Sequence, residues 1–214
     1  MMVYNIDVAK RIAKYLLQIN AIILQPNNPF KWASGWHSPI YCDNRKTLSF
    51  PEIRNHIKKE LANIIIEHYK ETNLIAGVAT AGIPHGVLVA EELSLPFVYV
   101  RSKAKEHGKK NQIEGHFEKG QDAVLVEDLI SSGKSSLEAA ASLKQSDINV
   151  KGIVSIFTYG FDTASNNFKD DNYVYHSLCD YNILLEQAIE QKYIKNEDLS
   201  ILKKWREDPS NWKK

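Results

Sequence analysis

From residue 73 onward, short apolar runs alternate with stretches of helical periodicity, and nothing else in the sequence limits the possible folds as strongly. The runs NLIAGVAT (73–80), FVYVR (97–101), AVLVE (123–127) and VKGIVSIFTY (150–159) have the length of strands and are apolar nearly throughout. Such strands are buried on both faces, unlike the half-buried strands that alternate apolar with polar residues. Helical patterns fall between them, over residues 82–92 and 135–143, the second with Ser135 and Glu138 at capping-box spacing. This order predicts an α/β fold: a central, mostly parallel sheet flanked by helices. Ahead of it, Val8, Ile12, Tyr15, Leu16 and Ile22 predict a helix over residues 7–24. QPNNPFKWASGWHSPIYCDNR (25–45) then reads as a long loop or short irregular hairpin, and Pro51 opens a second helix. Helical patterns return from residue 181, around LLEQAIEQKYI and DLSILKKW. With no repeat and no Gly/Ser linker, residues 1–214 read as one domain, with residues 1–45 forming much of a small N-terminal hood.

A chain of 214 residues, 43% of them hydrophobic, can build one substantial core. A formal net charge of +1, with no long block of one sign, argues against a nucleic-acid-binding surface. The opening MMVYNIDVAKRIAKYLLQIN alternates charged and apolar residues, unlike a signal peptide, and no run of about 18 apolar residues is present to span a membrane. Cys42 and Cys179 stand far apart without metal-ligand spacing, which predicts buried free thiols in a reducing compartment. The expectation is a cytoplasmic protein with neither nucleic acid nor membrane as partner.

In an open parallel sheet, ligands bind outside the carboxyl ends of the strands. Three such ends carry unusual chemistry: ATAGIPHG (79–86), RSKAKEHGKKNQIEG (101–115) and EDLISSGKS (127–135). Hydroxyls and a glycine between a strand and a helix suit an anion, because the helix N-terminus offers backbone N–H groups and a favourable dipole. The GKS triplet matches the end of a Walker P-loop, but the required first glycine falls at Asp128. Glu127 and Asp128 suit sugar hydroxyls instead. Two acids followed by a small phosphate loop match a ribose 5-phosphate. The basic stretch around Gly108 suits a flap closing on a highly charged leaving group.

VLVEDLISSGKSS resembles the signature of type I phosphoribosyltransferases, which use 5-phosphoribosyl-1-pyrophosphate (PRPP). Within that group YVRSKAKEHG (99–108), SGWHSPIYCDNR (34–45), ATAGIPHG and the ending LLEQAIEQKYI…LKKWREDPSNW are similar to the orotate phosphoribosyltransferase family, a likeness covering nearly the whole chain. The resemblance implies the type I phosphoribosyltransferase fold. It also implies a reaction joining orotate to PRPP, with Mg2+ carried on the pyrophosphate and no protein metal ligand assigned. Residue by residue, it implies that Arg101, Lys105 and His107 meet the pyrophosphate, with Lys105 and His107 catalytic. Glu127 and Asp128 would meet the ribose hydroxyls. The PRPP-binding run would continue through Leu129, Ile130, Ser131, Ser132, Gly133, Lys134 and Ser135, the 5-phosphate lying on residues 131–135 and Ser131 also touching orotate. The basic segment would be a mobile loop reaching partly over a neighbouring subunit's site, hence a homodimer with shared sites. Ala33, Ala81 and Ser102 stand where better-known bacterial members carry lysines, and no arginine occurs in SIFTYGFD, after which some members carry one. The orotate carboxylate is left with backbone N–H groups of residues 41–43, Lys31 or Arg45 as partners. A phosphoribosyltransferase for another base is disfavoured by SGWHSPIYCDNR. A PRPP-sensing regulator is disfavoured by the absence of a helix-turn-helix extension and of basic bias.

Overall fold

The computed structural model describes residues 2–31, 35–102 and 112–212. Strand β1 (Met2–Val3) leads into helix α1 (Ile6–Gln18), capped by Asn5, whose side-chain oxygen accepts from the N–H groups of Asp7 (2.9 Å) and Val8 (3.2 Å). Four short strands follow: β2 (Ile22–Leu24), β3 (Phe30–Lys31), β4 (His37–Ser38) and β5 (Ile40–Cys42). β2 pairs antiparallel with β5, and β3 with β4. A 3-10 turn (Asn44–Ser49) precedes α2 (Pro51–His68), with Pro51 in the first turn, where its missing N–H costs nothing. The remaining order is β6 (Leu74–Val78), α3 (Gly82–Leu93), β7 (Phe97–Val100), β8 (Ile113–Glu114), β9 (Asp122–Ile130), α4 (Lys134–Gln145), β10 (Asn149–Thr158), α5 (Asp162–Asp170), β11 (Tyr175–Asp180), α6 (Tyr181–Glu190) and α7 (Leu199–Glu207).

The main sheet runs β1-β11-β10-β9-β6-β7-β8, parallel throughout except for β8, which pairs antiparallel with β7. Successive residues of β9 point to opposite faces. Val124 and Val126 pack on one side with Ile12, Leu16, Ile57 and Leu61 of α1 and α2. Ala123 and Leu125 pack on the other with Ala140 and Leu143 of α4 and Phe168 of α5. That two-sided burial explains why the strands read as unbroken apolar runs. The chain leaves β6 for β7 on one side and β9 for β10 on the other, so the order reverses between β6 and β9. The crevice at their carboxyl ends is the switch point where such sheets bind ligands.

The sheet and flanking helices agree with the sequence reading; several boundaries do not. The first helix stops at Gln18, and Asn20, at φ 53°, turns the chain so that Ile22 pairs with Cys42 in a strand. The capping box at Ser135 is not formed: Gly133 is the N-cap, and Ser135 bonds elsewhere. β9 continues to Ile130, so Glu127 and Asp128 lie within the strand, Glu127 opposite Ser155 of β10. The edge strands β1 and β8, the outer strand β11, and α5 were not anticipated. Both cysteines are free thiols, Cys179 buried and Cys42 only partly so.

Gly82 sets how closely α3 approaches β9. A Cβ there would run into the Val126 carbonyl oxygen and lie 3.3 Å from Glu127 Cα, backbone atoms that cannot swing away. Gly82→Ala is expected to cost about 1–3 kcal/mol of stability, as overpacking does. A lowered urea midpoint checks this; an unchanged midpoint would mean the helix and strand are not held this tightly.

Candidate active site

Three strand ends build the crevice. β6 delivers the turn through Thr80 and Ala81 into α3, including a cis peptide between Ala79 and Thr80. β7 delivers Arg101, whose N–H donates to the Gln112 carbonyl (2.8 Å) and whose guanidinium lies 3.6 Å from Glu114. Arg101 and Gln112 flank residues 102–111, so both ends of that segment are anchored at the carboxyl end of β7. Lys105 and His107 lie outside the described residues. β9 delivers the acids and the hydroxyl loop.

Glu127 is only 5% exposed. Its Oε2 accepts from the hydroxyls of Ser135 (3.2 Å) and Ser136 (3.4 Å), and its Oε1 from the Asp128 N–H (3.0 Å). The carboxylate thus ties the last turns of β9 to the first turn of α4. Asp128 stays partly open to the crevice, and its carbonyl accepts from Asn44 Nδ2 (2.7 Å). Asn44 is fully buried, so the 3-10 turn is docked on the backbone of β9 at Asp128. Leu129 and Ile130 continue the strand opposite Phe157 and Thr158.

The loop beyond is braced from outside. The Ser132 carbonyl accepts from Asn167 Nδ2 of α5 (3.0 Å), and the Ile130 carbonyl accepts from the Tyr159 N–H and the Thr158 hydroxyl (both 3.2 Å). Gly133 has φ 77°, and a Cβ there would lie 2.6 Å from the Phe168 ring, so both its conformation and its surroundings demand glycine. The first intrahelical bond runs from the Leu137 N–H to the Gly133 carbonyl (3.0 Å). The Lys134 N–H reaches the Ser132 hydroxyl at 3.5 Å, and the N–H groups of this first turn face the end of the sheet as a helix start does, a position suited to an anion. Lys134 is exposed and pairs with Glu138 (3.8 Å), so its side chain is directed along the helix surface.

Two cavities meet at Ser131. One, about 540 Å3, is lined by Phe30, Lys31, Tyr41, Cys42, Leu129 and Tyr159 as well as Ser131, a largely apolar and aromatic wall suited to a planar ring. The other, about 460 Å3, lies toward Trp36, Ser132, Thr163 and Arg206. The Arg206 guanidinium donates to the carbonyls of Tyr159 (3.0 Å) and Gly160 (2.6 Å), fixing α7 against the end of β10. Of the sequence-based candidates, Arg101 and the run from Glu127 to Ser135 converge on the crevice. Lys31 lines the aromatic cavity. Arg45 lines neither cavity and is bonded to Asp43 (2.6 Å). The sequence reading missed Asn44, Tyr159 and Asn167. Asn44 lay within a motif it had singled out, whereas nothing local marks the other two.

Burial and the adjacent Asp128 charge push the Glu127 acid well above the ordinary carboxylate range. Burial also raises Asp128, against hydrogen bonds to its carboxylate and the charge of Arg45. The folded protein therefore holds the pair's protons more tightly than the unfolded chain does. Its stabilising contribution is full below the unfolded pKa values and is lost as pH rises through the raised ones. Ionising the pair therefore works against folding. Asp128→Asn should accordingly raise Tm at pH 7.5 by roughly 2–4 °C, equivalent to about 1 kcal/mol in a chain of this size. The gain should vanish near pH 4. A variant less stable than wild type at pH 7.5 would contradict this electrostatic reading.

Residues 49–189 match the phosphoribosyl transferase domain family. The chain is 51% identical over 205 residues to an orotate phosphoribosyltransferase of Cytophaga hutchinsonii, covering 96% of this chain and 98% of that one. It is 52% identical over 200 residues to an orotate phosphoribosyltransferase of Bacillus subtilis, covering 94% and 93%. The orotate phosphoribosyltransferase structure from Aeropyrum pernix superposes with a TM-score of 0.75 at 25% identity, covering 86% of this chain and 99% of that one. A parallel sheet with a braced acid-and-hydroxyl loop at its switch point and near-full-length identity of this size lead to one conclusion: the chain belongs to the orotate phosphoribosyltransferase family.

Proposed function

We propose that this crevice transfers ribose 5-phosphate from PRPP to orotate, giving orotidine 5′-monophosphate and pyrophosphate, a step of pyrimidine synthesis. The observation that carries the reading is the acid pair of β9 held directly against the hydroxyl loop of α4, beside an aromatic cavity. The 5-phosphate lies on residues 131–135, held by backbone N–H groups and the hydroxyls of Ser131, Ser132 and Ser135. The ribose hydroxyls meet the acids, Asp128 foremost, because Glu127 is occupied by the two serines. Orotate fills the cavity with Ser131, Leu129, Tyr41 and Tyr159 around it.

Orotate enters with its N1 proton already given up to solvent, and the C1–oxygen bond to pyrophosphate breaks as the N1 electron pair of that anion forms the new bond to C1. Positive charge builds on the ribose as in glycoside cleavage. Asp128 sits where it can stabilise that charge, and Arg101, Lys105 and His107 receive the negative charge leaving on pyrophosphate. No side chain is assigned as a base.

Mg2+ fits this site as an ion carried on substrate. The chain supplies one partly open carboxylate, Asp128, and Mg2+ is usually held by one or two carboxylates with phosphates and water. When bound, it neutralises charge on the leaving pyrophosphate. Among the described residues no helix is long and apolar enough to cross a membrane. A cytoplasmic homodimer, with residues 102–111 of one subunit serving its partner's site, completes the proposal; residues 1–214 act as one domain with the hood supplied by residues 1–45.

Loss of orotate absorbance in the presence of PRPP and Mg2+ tests the reaction. Glu127→Gln combined with Asp128→Asn should lower kcat/KM by about 10^3-fold or more in a folded protein. Near-wild-type turnover would remove the acids from the mechanism. Lys105→Ala should lower kcat by about 10^2–10^3-fold with little change in KM, the mark of a contact made in the transition state. Mixing it with Asp128→Asn should restore activity through heterodimers. No recovery despite demonstrated subunit exchange would exclude shared sites.

A further inference from the structure

The cation supply around the acid pair is uneven. The turn after β6 presents Thr80, Ala81 and Gly82 to the crevice, so it offers backbone N–H groups and no positive charge. Arg101 shares its charge with Glu114. Lys31 belongs to the aromatic cavity. Arg45 is different. It follows Asn44, the buried residue whose side-chain amide donates to the Asp128 backbone carbonyl at 2.7 Å, so its backbone is anchored to the strand residue that carries the open acid. Its side chain is 62% exposed and lines neither cavity at Ser131. Among the described residues its side chain bonds to Asp43, through Nε at 2.6 Å. Its charge is nonetheless felt at Asp128.

A PRPP molecule with its 5-phosphate on residues 131–135 and its hydroxyls on Asp128 has its pyrophosphate beyond Asp128, away from the loop. We infer that Arg45 is a substrate-binding residue for the pyrophosphate of PRPP, its guanidinium turning from Asp43 to the phosphates when substrate enters. An exposed ion pair is weak, so the exchange costs little. A guanidinium can also grip two phosphate oxygens at once, which a single carboxylate oxygen in the resting pair does not exploit. The exposed Arg45–Asp43 pair is then a resting position: it keeps the cation beside Asp128 without directing it into the base cavity.

The inference rests on the reaction proposed above, and ribose 5-phosphate separates the two, since it has the hydroxyls and 5-phosphate of PRPP but no pyrophosphate. Calorimetric titration of wild type, Arg45→Gln and Arg45→Lys with PRPP and with ribose 5-phosphate, each with Mg2+, is the test. Arg45→Gln should weaken PRPP at least about tenfold, as expected for a lost charge-assisted pair, and leave ribose 5-phosphate within about twofold. Arg45→Lys should fall between, and it carries the same comparison if Arg45→Gln does not fold. Parallel weakening of both ligands would place Arg45 on the ribose or in the fold, and overturn the inference. So would unchanged PRPP affinity, or weaker orotidine 5′-monophosphate binding with PRPP unaffected. Wild-type protein that binds PRPP no better than ribose 5-phosphate would sink the proposed reaction together with the inference.

Discussion

The buried carboxylate of Glu127 is the interaction on which the rest of the site depends. It sits inside β9, where burial makes a charge costly, and accepts hydrogen bonds from two serines of α4 and one backbone N–H. Those bonds fix the angle at which α4 leaves the sheet, and so the direction in which its orphan N–H groups point. They also leave Asp128, one residue on, as the acid facing the crevice. The arrangement is poor for stability at neutral pH and good for function: a negative site is held ready for a substrate whose ring becomes positive. Close contacts around it hold it in place. Gly82 lets α3 press on β9, Gly133 lets the loop press on Phe168, and Asn44 docks the 3-10 turn on the Asp128 backbone.

Much of this was legible in the sequence because it is local. Strands buried on both faces have to be apolar along their length, so β6, β7, β9 and β10 announced themselves. The acid-and-hydroxyl run could be read as chemistry because Gly133 and the serines follow a strand directly. What the sequence hid was tertiary. β1 and β8 are two residues each, too short for any periodicity. The first helix seemed to run on to Leu24 because Ile22 keeps helical spacing, yet Asn20 in a left-handed conformation turns it into strand pairing with β5. Ser135 has the spacing of a helix cap, but a buried carboxylate is a stronger partner for its hydroxyl than a helix N–H. Tyr159, just after β10, and Asn167 of α5 reach the site's edge, and only the packing of those elements brings them there.

The site divides its work between rigid and substrate-responsive parts. Under the proposed reaction the ribose and 5-phosphate would be met by groups already bonded into strand and helix. Under the proposed reaction the pyrophosphate, which must depart, falls to side chains held by ion pairs: Arg101 beside Glu114 and Arg45 beside Asp43. Firm binding of the part that stays and reversible binding of the part that leaves suit a transfer reaction whose products must be released.

The most direct measurement of the central claim is a crystal structure of the protein with PRPP and Mg2+. The account predicts the 5-phosphate on the N–H groups of residues 131–135, ribose hydroxyls bonded to Asp128, and Glu127 still bonded to Ser135 and Ser136. A ribose lying away from Asp128, or a 5-phosphate held elsewhere than on that loop, would contradict it.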